Sequence, residues 1–314
     1  MDYITKVEEM LEGYPLNRLR EVANKISYNY LNESGTGNSL INDELSAKVY
    51  ASMRFPATYN ACLSSLKYSL EYYNKDINTL IDIGSGTGAT ILAIDNLINL
   101  KEITAFEIND HMMGVGKTLT EDIAEKVNWH KLDITKDEIS ISADIVSVSY
   151  VLNELNPNDR IKVLDKIWEA SKDLILIVDT GTPTGFSVVL EARNYLINKG
   201  GNVVAPCPHN DRCKSLWCHF VTRVNRSKLH KLIKEAEAPY EDEKYSFVCI
   251  SKSSNDQCYS RVTRHPIIGK GHIELELCSK DKLEKIVVSK KDGEFYKKGR
   301  KLRAGDSFDE RKSI

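Results

Sequence analysis

Along residues 1–76 the apolar positions recur at helical spacing, Val7, Met10 and Leu11 first and then Leu16, Leu19 and Val22. Such a stripe predicts amphipathic helices. A Gly/Ser/Asn-rich stretch over 32–42 predicts a break, and Pro56 predicts a division between two further helices at 45–54 and 59–73. From residue 77 the pattern changes. Short apolar runs at Thr79–Ile83, Glu102–Glu107, Val127–Leu132, Ala143–Ser149 and Leu174–Asp179 alternate with amphipathic segments. That alternation predicts strands of a parallel sheet covered by helices. Further on, the pattern gives a helix near 185–198, another near 227–238 and a strand near 245–251. From Gly271 it shows β-type alternation, with Ile273, Leu275 and Leu277 on one face.

The first strand runs into Asp82-Ile83-Gly84-Ser85-Gly86-Thr87-Gly88, and a helix follows from Ala89. Glycines at this turn let a ligand approach the backbone closely. The spacing is GxGxG rather than the GxGxxG of dinucleotide folds, and an acid stands two positions before the first glycine. Both details favour S-adenosylmethionine. Glu107 closes the second strand where a carboxylate would receive ribose hydroxyls, and Asp133 ends the third at the level of an adenine amino group. Asp82, Gly84, Gly86, Gly88, Glu107 and Asp133 are therefore the expected cofactor-binding residues. Asn153 and Glu154, just past the fourth strand, are the expected acceptor-side residues, with helix capping the competing role for Asn153. The Asn/Asp-Pro-Pro-aromatic tetrad of amino-methylating enzymes is absent there, and so are the paired cysteines of cytosine-C5 enzymes.

Composition narrows the setting. With 314 residues and 41% hydrophobic content the chain can bury a sizeable core, and 43 Lys plus Arg against 45 Asp plus Glu leaves a formal charge of −2. Any nucleic-acid surface is therefore local. The first residues lack the features of a secretory signal or transit peptide. No apolar run reaches the roughly 18 residues of a membrane helix. The expectation is a soluble, cytoplasmic monomer that does not engage membranes, or a mitochondrial one if the source is eukaryotic.

Seven cysteines in such a chain point to thiol or metal chemistry rather than disulfides. Cys207, Cys213 and Cys218 crowd together among polar residues and suit zinc or an iron–sulfur cluster. Their spacing matches neither a zinc ribbon nor a ferredoxin run, so the metal is left open. The fourth ligand is open among Cys278, Cys258, His209 and His219, while Cys249 reads as core. Arg212, Lys214, Arg223, Arg226, Lys228 and Lys231 surround Trp217 and Phe220. The tail adds Lys290, Lys291, Lys297, Lys298, Arg300, Lys301 and Arg303 around Phe295 and Tyr296. Charge beside aromatic rings predicts two RNA-binding patches.

Several motifs together resemble one family. They are Pro206-Cys207-Pro208-His209, Trp217-Cys218-His219-Phe220, Tyr240-Glu241-Asp242-Glu243-Lys244-Tyr245, Gly181-Thr182-Pro183-Thr184-Gly185-Phe186 and Arg54-Phe55-Pro56-Ala57-Thr58-Tyr59. The chain is similar, from about Tyr50 to about Asp306, to the methyltransferase-like small-ribosomal-subunit assembly family, known from mitochondria and with prokaryotic relatives. The resemblance implies a factor that binds small-subunit ribosomal RNA and the maturing small subunit. It also implies a 4Fe-4S cluster held by Cys207, Cys213, Cys218 and Cys278. The expected fold is α/β, with a Rossmann-like class I S-adenosylmethionine-dependent methyltransferase sheet. Its expected parts are a helical region at 1–76, the methyltransferase domain at 77–200 and a cysteine-rich metal-binding insertion at 201–226. The final helix and strands of the sheet follow at 227–265, then a small β-rich basic region at 266–314. Two other functions fit the same residues: a non-catalytic iron–sulfur RNA-binding factor, and a small-molecule methyltransferase with structural zinc.

Overall fold

The computed structural model describes residues 2–32 and 40–308. Most of the break expected at 32–42 lies outside the described residues. In chain order the elements are α1 (Tyr3–Met10), α2 (Leu16–Asn32), α3 (Glu44–Leu70), β1 (Thr79–Ile83), α4 (Ala89–Ile98), β2 (Glu102–Glu107), α5 (Asp110–Leu119), β3 (Val127–Lys131), β4 (Ala143–Ser149), α6 (Pro157–Ala170) and β5 (Ser171–Thr180). After these come α7 (Pro183–Asn198), β6 (Asn202–Ala205), β7 (Phe220–Asn225), α8 (Lys228–Lys234), β8 (Tyr240–Ser251), β9 (Ser260–Val262), β10 (Ile267–Ile268), β11 (His272–Ser279), β12 (Leu283–Ser289) and α9 (Glu294–Gly299). Among the described residues no helix is long and apolar enough to cross a membrane.

Pro56 does not divide two helices; it sits inside the continuous α3. Proline deprives the carbonyl four residues back of its donor and costs about 3 kcal/mol in a helix interior. Here the helix is buried on almost every side. Ala47, Val49, Ala51, Met53, Phe55, Ala57, Ala61 and Cys62 are all buried, and burial on this scale outweighs the missing bond. The helix expected at 227–238 ends early because Glu235 turns left-handed, with φ 51°.

The chain divides into two compact units, Met1–Ser64 with Asp76–Leu176 and Thr222–Glu243, and Ser65–Lys75 with Ile177–Val221 and Lys244–Ile314. In the first unit the strands lie in the order β3-β2-β1-β4-β5. β1 runs parallel to β2, pairing Thr79 with Glu102, and parallel to β4, pairing Leu80 with Ile145. β2 is parallel to β3. The order reverses at β1, so a crevice opens beyond the carboxyl ends of β1 and β4, the usual binding position in such sheets. One core joins Val7, Leu19, Val22, Phe55, Met112 and Leu119 from the helices of this unit.

In the second unit β8 lies between β5 and β6, and β6 is antiparallel to β8 with a register shift between Val203 and Ala205. In the first unit β3, β2, β1 and β4 run parallel and alternate with helices, the Rossmann-like α/β architecture of class I methyltransferases. A separate antiparallel sheet has the order β10-β11-β12, with β9 also on β11. The apolar face expected on β11 is inward: Ile273, Leu275 and Leu277 join Val262, Val288, Tyr296 and Phe308 in one core.

That core corrects the reading of the tail aromatics. Tyr296 is buried, and the Phe295 ring packs 4.8 Å from Phe308, so neither is a stacking surface. The short helix α9 turns both inward and leaves Lys297 and Lys298 outside.

Candidate cofactor cleft and thiol pocket

The glycine loop is shaped by its backbone. Gly84, Gly86 and Gly88 have φ of 66°, 53° and 83°, in the region that side chains resist. A Cβ on Gly84 would stand 2.3 Å from Val151 Cγ2. A Cβ on Gly88 would meet Thr120 Cγ2 at 2.9 Å. Gly88 thus lets α4 approach α5 and does not line the cleft, whereas Gly84 and Gly86 do. The cleft measures about 780 Å³ and also exposes Glu107, Asp133, Tyr150 and Glu154. That volume suits a nucleoside-sized ligand.

Glu107 is buried, and its carboxylate fastens the loop. Oε2 accepts from the Gly86 N–H at 2.7 Å and Oε1 from the Asn109 N–H at 2.8 Å. Burial pushes its pKa above the ordinary value, although backbone N–H groups of Asn109, Gly86 and Ile108 pull it down. Asp133 Oδ1 accepts from Thr135 Oγ1 at 2.6 Å and Oδ2 from Lys136 at 2.7 Å. Partial burial pushes Asp133 up, but these partners outweigh it and hold the carboxyl below its usual value.

Asp82 is placed differently from the expectation. It is 1% exposed, lies beneath the loop instead of lining the cleft, and accepts from Ser147 Oγ at 2.5 Å. Burial pushes its pKa up to about 7, against the hydroxyls of Ser147 and Ser85. The raised folded-state value has a defined sign. Below the unfolded value near 3.8 the group's contribution is fully present, and it is lost as pH rises through about 7. Asp82→Asn is therefore expected to flatten the fall in stability between pH 4 and 7. The difference from wild type is on the order of 3 kcal/mol. Urea melts at several pH values measure it, and parallel curves for the two proteins would show that Asp82 stays ionised.

Asn153 and Glu154 form a 3-10 turn, Leu152–Glu154. Glu154 lines the cleft and Asn153 does not. The capping role belongs to Asn156, whose side chain accepts from the Asp159 N–H.

Sequence reasoning missed a group at the acceptor side. Tyr150, with φ 59°, follows β4 directly. Its hydroxyl donates to Glu243 Oε1 at 3.0 Å, and Arg54 grips the same carboxylate through both Nη atoms at 2.8 and 3.1 Å. Left-handed backbone at a tyrosine costs about 1–3 kcal/mol and persists only where surrounding contacts fix it. The position of Tyr150 at a strand end was a usable signal. Arg54 and Glu243 lie 189 residues apart, and nothing local links them.

The second constellation lies wholly in the second unit. Cys207, after β6, Cys213, Cys218, before β7, and Cys278, on β11, line one small pocket. Cys278 projects from the face of β11 opposite its buried apolar row. Burial pushes Cys207 and Cys218 up, and Cys278 up to about 12. Neighbouring thiols add to the rise in each case. The other candidates stand apart. Cys258 is buried but does not line the pocket. His219 stacks 4.3 Å from Trp217 and meets Arg264 at 3.0 Å. His209 Nε2 approaches Cys278 Sγ only to 4.0 Å. Cys249 is core, as expected.

Among the described residues no group of three or more His, Cys, Asp or Glu side chains is spaced to hold a single metal ion. Four soft thiols in one pocket are a donor set that zinc and iron–sulfur clusters both accept.

The basic stretch around Trp217 and Phe220 is also less open than expected. Phe220 is buried among Tyr68, Tyr245 and Phe247, and Trp217 donates to the Gly181 carbonyl at 3.0 Å. Arg223 pairs with Asp242 and Arg226 with Glu241. Leu216, by contrast, is almost fully exposed.

The chain resembles human "Ribosome assembly protein METTL17, mitochondrial", with 24% identity over 303 residues that span 88% of this chain and 62% of that protein. It also resembles "Rsm22-cox11 tandem protein 2, mitochondrial" of Schizosaccharomyces pombe, with 24% identity over 323 residues, 82% of this chain and 42% of that protein. The chain therefore spans less than two thirds of either relative. Among solved structures, the N-methyltransferase NodS of Bradyrhizobium japonicum aligns at 12% identity and a TM-score of 0.44, over 68% of this chain and 94% of that one. The family model described as mitochondrial small ribosomal subunit Rsm22 matches residues 44–309. The chain belongs to that family.

Proposed function

We propose that this protein is an S-adenosylmethionine-binding, methyltransferase-like assembly factor of the small ribosomal subunit, that it binds ribosomal RNA, and that Cys207, Cys213, Cys218 and Cys278 hold a 4Fe-4S cluster. The observation that carries the cofactor assignment is the loop–carboxylate pair. Gly84 and Gly86 present bare backbone to the cleft, and Glu107 fixes the loop through the Gly86 N–H. Bound S-adenosylmethionine supplies an electrophilic methyl group on a sulfonium. The protein's share is position: Glu107 and Asp133 set the nucleoside, and the Tyr150–Glu243–Arg54 group shapes the acceptor side. Methyl transfer would proceed in line to an RNA nucleophile, with Glu154 nearest the acceptor. The cysteines support a cluster because four soft thiol ligands share one pocket. Membership in the Rsm22 family and the names of its mitochondrial relatives support ribosomal assembly as the setting. The exposed tail cations Lys297, Lys298, Arg300, Lys301 and Arg303 supply local charge for RNA backbone.

A non-catalytic assembly factor is favoured by one observation. Glu243 is already engaged by Arg54 and Tyr150, which leaves this carboxylate committed to the fold instead of to a proton. The test for the main reading is calorimetric titration with S-adenosylmethionine, with cross-linking of the protein to immature small subunits. One-to-one binding and cross-links to ribosomal RNA are expected. A protein that binds neither overturns the reading.

A further inference from the structure

The thiol pocket has two walls made of buried guanidinium groups. Arg193, on α7, is 3% exposed, and Arg261, on β9, is 1% exposed; both line the pocket together with the four cysteines. The partners of Arg193 among the described residues are neutral. It donates to the carbonyls of His209 at 2.8 Å and Asp211 at 2.9 Å and to Asn194 Oδ1 at 3.0 Å. Its Nε, buried, has no hydrogen-bond partner. Arg261 donates to the carbonyls of Pro206 at 3.0 Å and Gly305 at 2.9 Å, and its Nη2 is likewise buried without a partner. It also pairs with the Glu71 carboxylate at 3.5 Å, a side chain that is 41% exposed.

A buried cation without an anion is strongly unfavourable, and natural structures pair such charges. An oxidised 4Fe-4S core with four thiolates carries two net negative charges. Arg193 brings one positive charge to this desolvated pocket, and Arg261, partly compensated by Glu71 at 3.5 Å, brings a second of the same sign. We propose that Arg193 and Arg261 are the charge-compensating residues of the four-thiol site, setting both its affinity for an anionic cluster and the cluster's reduction potential. This rests on the cluster assignment made above. Both residues act through the cluster and its thiolates, so they are positioning residues. Their charges favour the reduced, more negative cluster, and low local dielectric strengthens that effect.

The test uses the full chain, purified anaerobically as wild type, Arg193→Gln, Arg193→Lys and Arg261→Gln. Iron and sulfide content, the midpoint potential in a mediated titration, and the melting temperatures of the loaded and cluster-free forms are measured. In Arg193→Gln the midpoint moves to more negative potential and the melting-temperature gain on loading shrinks. The cluster-free form keeps its stability, because it no longer buries an unpaired charge. Arg193→Lys, which retains the charge, lies closer to wild type. A purely structural arginine, holding the loop at His209 and Asp211, predicts instead that loaded and cluster-free forms lose stability equally and that the potential stays put. That result overturns the inference. If Arg193→Gln does not fold, Arg261→Gln carries the same expectation, and an unchanged potential there overturns it as well. Wild-type protein without iron and sulfide would overturn the cluster assignment itself, and with it this inference. Loaded wild type with unmoved variants would overturn the inference alone.

Discussion

Gly84→Val is expected to weaken S-adenosylmethionine binding at least a hundredfold, about 2.7 kcal/mol, while the protein still folds. The loss has two sources. Gly84 has φ 66°, where a β-branched residue is an outlier. Its Cβ would also stand 2.3 Å from Val151 Cγ2, a short side chain fixed to the backbone at the end of β4, so the loop itself must move. Movement breaks the bond from the Gly86 N–H to Glu107 that sets the cleft's floor. Gly114→Ala is the control. A Cβ there meets nothing within 4 Å, and in the interior of α5 alanine gains about 1 kcal/mol of helix propensity over glycine. Calorimetry on both variants decides the matter. Wild-type affinity in Gly84→Val would remove the cofactor from this cleft. The same variant separates the two functional readings: restored subunit assembly without cofactor binding makes the protein a structural factor, and lost assembly makes the cofactor necessary.

The sheet was legible because β1, β2 and β4 are buried, apolar and short. Each is bounded by a loop whose residues carry their own turn chemistry, and the expected bounds at Thr79–Ile83, Glu102–Glu107 and Ala143–Ser149 match the structure residue for residue. The place of Glu107 beside the glycine loop was legible from adjacent parallel strands, but its bond to the Gly86 N–H was not, since the expected role was toward ribose hydroxyls. Pro56 misled because a local rule about proline cannot see that α3 is buried along most of its length. Asp82 was expected to meet the ligand, but its place on an inward-facing strand position puts it beneath the loop beside Ser147. The tail aromatics misled in another way. Lysines around Phe295 and Tyr296 look like an RNA surface, yet a short amphipathic helix hides rings of this kind under its charged face. For the Arg54–Tyr150–Glu243 group the strand-end place of Tyr150 was the one usable signal, and the Arg193 and Arg261 walls had none. Their partners come together only through the fold, across gaps that no spacing rule spans.

Cys278→Ser is expected to remove most of the bound iron and the broad absorption near 400 nm, about where thiolate-bound iron clusters absorb, while Cys258→Ser retains both. Cys278 lies in the middle of a paired sheet, opposite Leu283 on one side and Arg261 on the other. Its sulfur is thus held in place by backbone register, whereas Cys207, Cys213 and Cys218 come from the segment between β6 and β7. Serine keeps the shape at Cys278 but offers iron a protonated hydroxyl in place of a soft thiolate. The loss should therefore be in metal and colour, with the fold of the sheet retained. Cys258 is buried and near Cys278 in charge terms, since it adds to the rise in the Cys278 pKa. It is the thiol that would take over if the register argument were wrong. Iron retained in Cys278→Ser and lost in Cys258→Ser would reassign the fourth ligand to Cys258. Stoichiometric zinc without sulfide in the wild-type protein would instead mean that the four thiols hold a single ion, and the cluster assignment would fail with it.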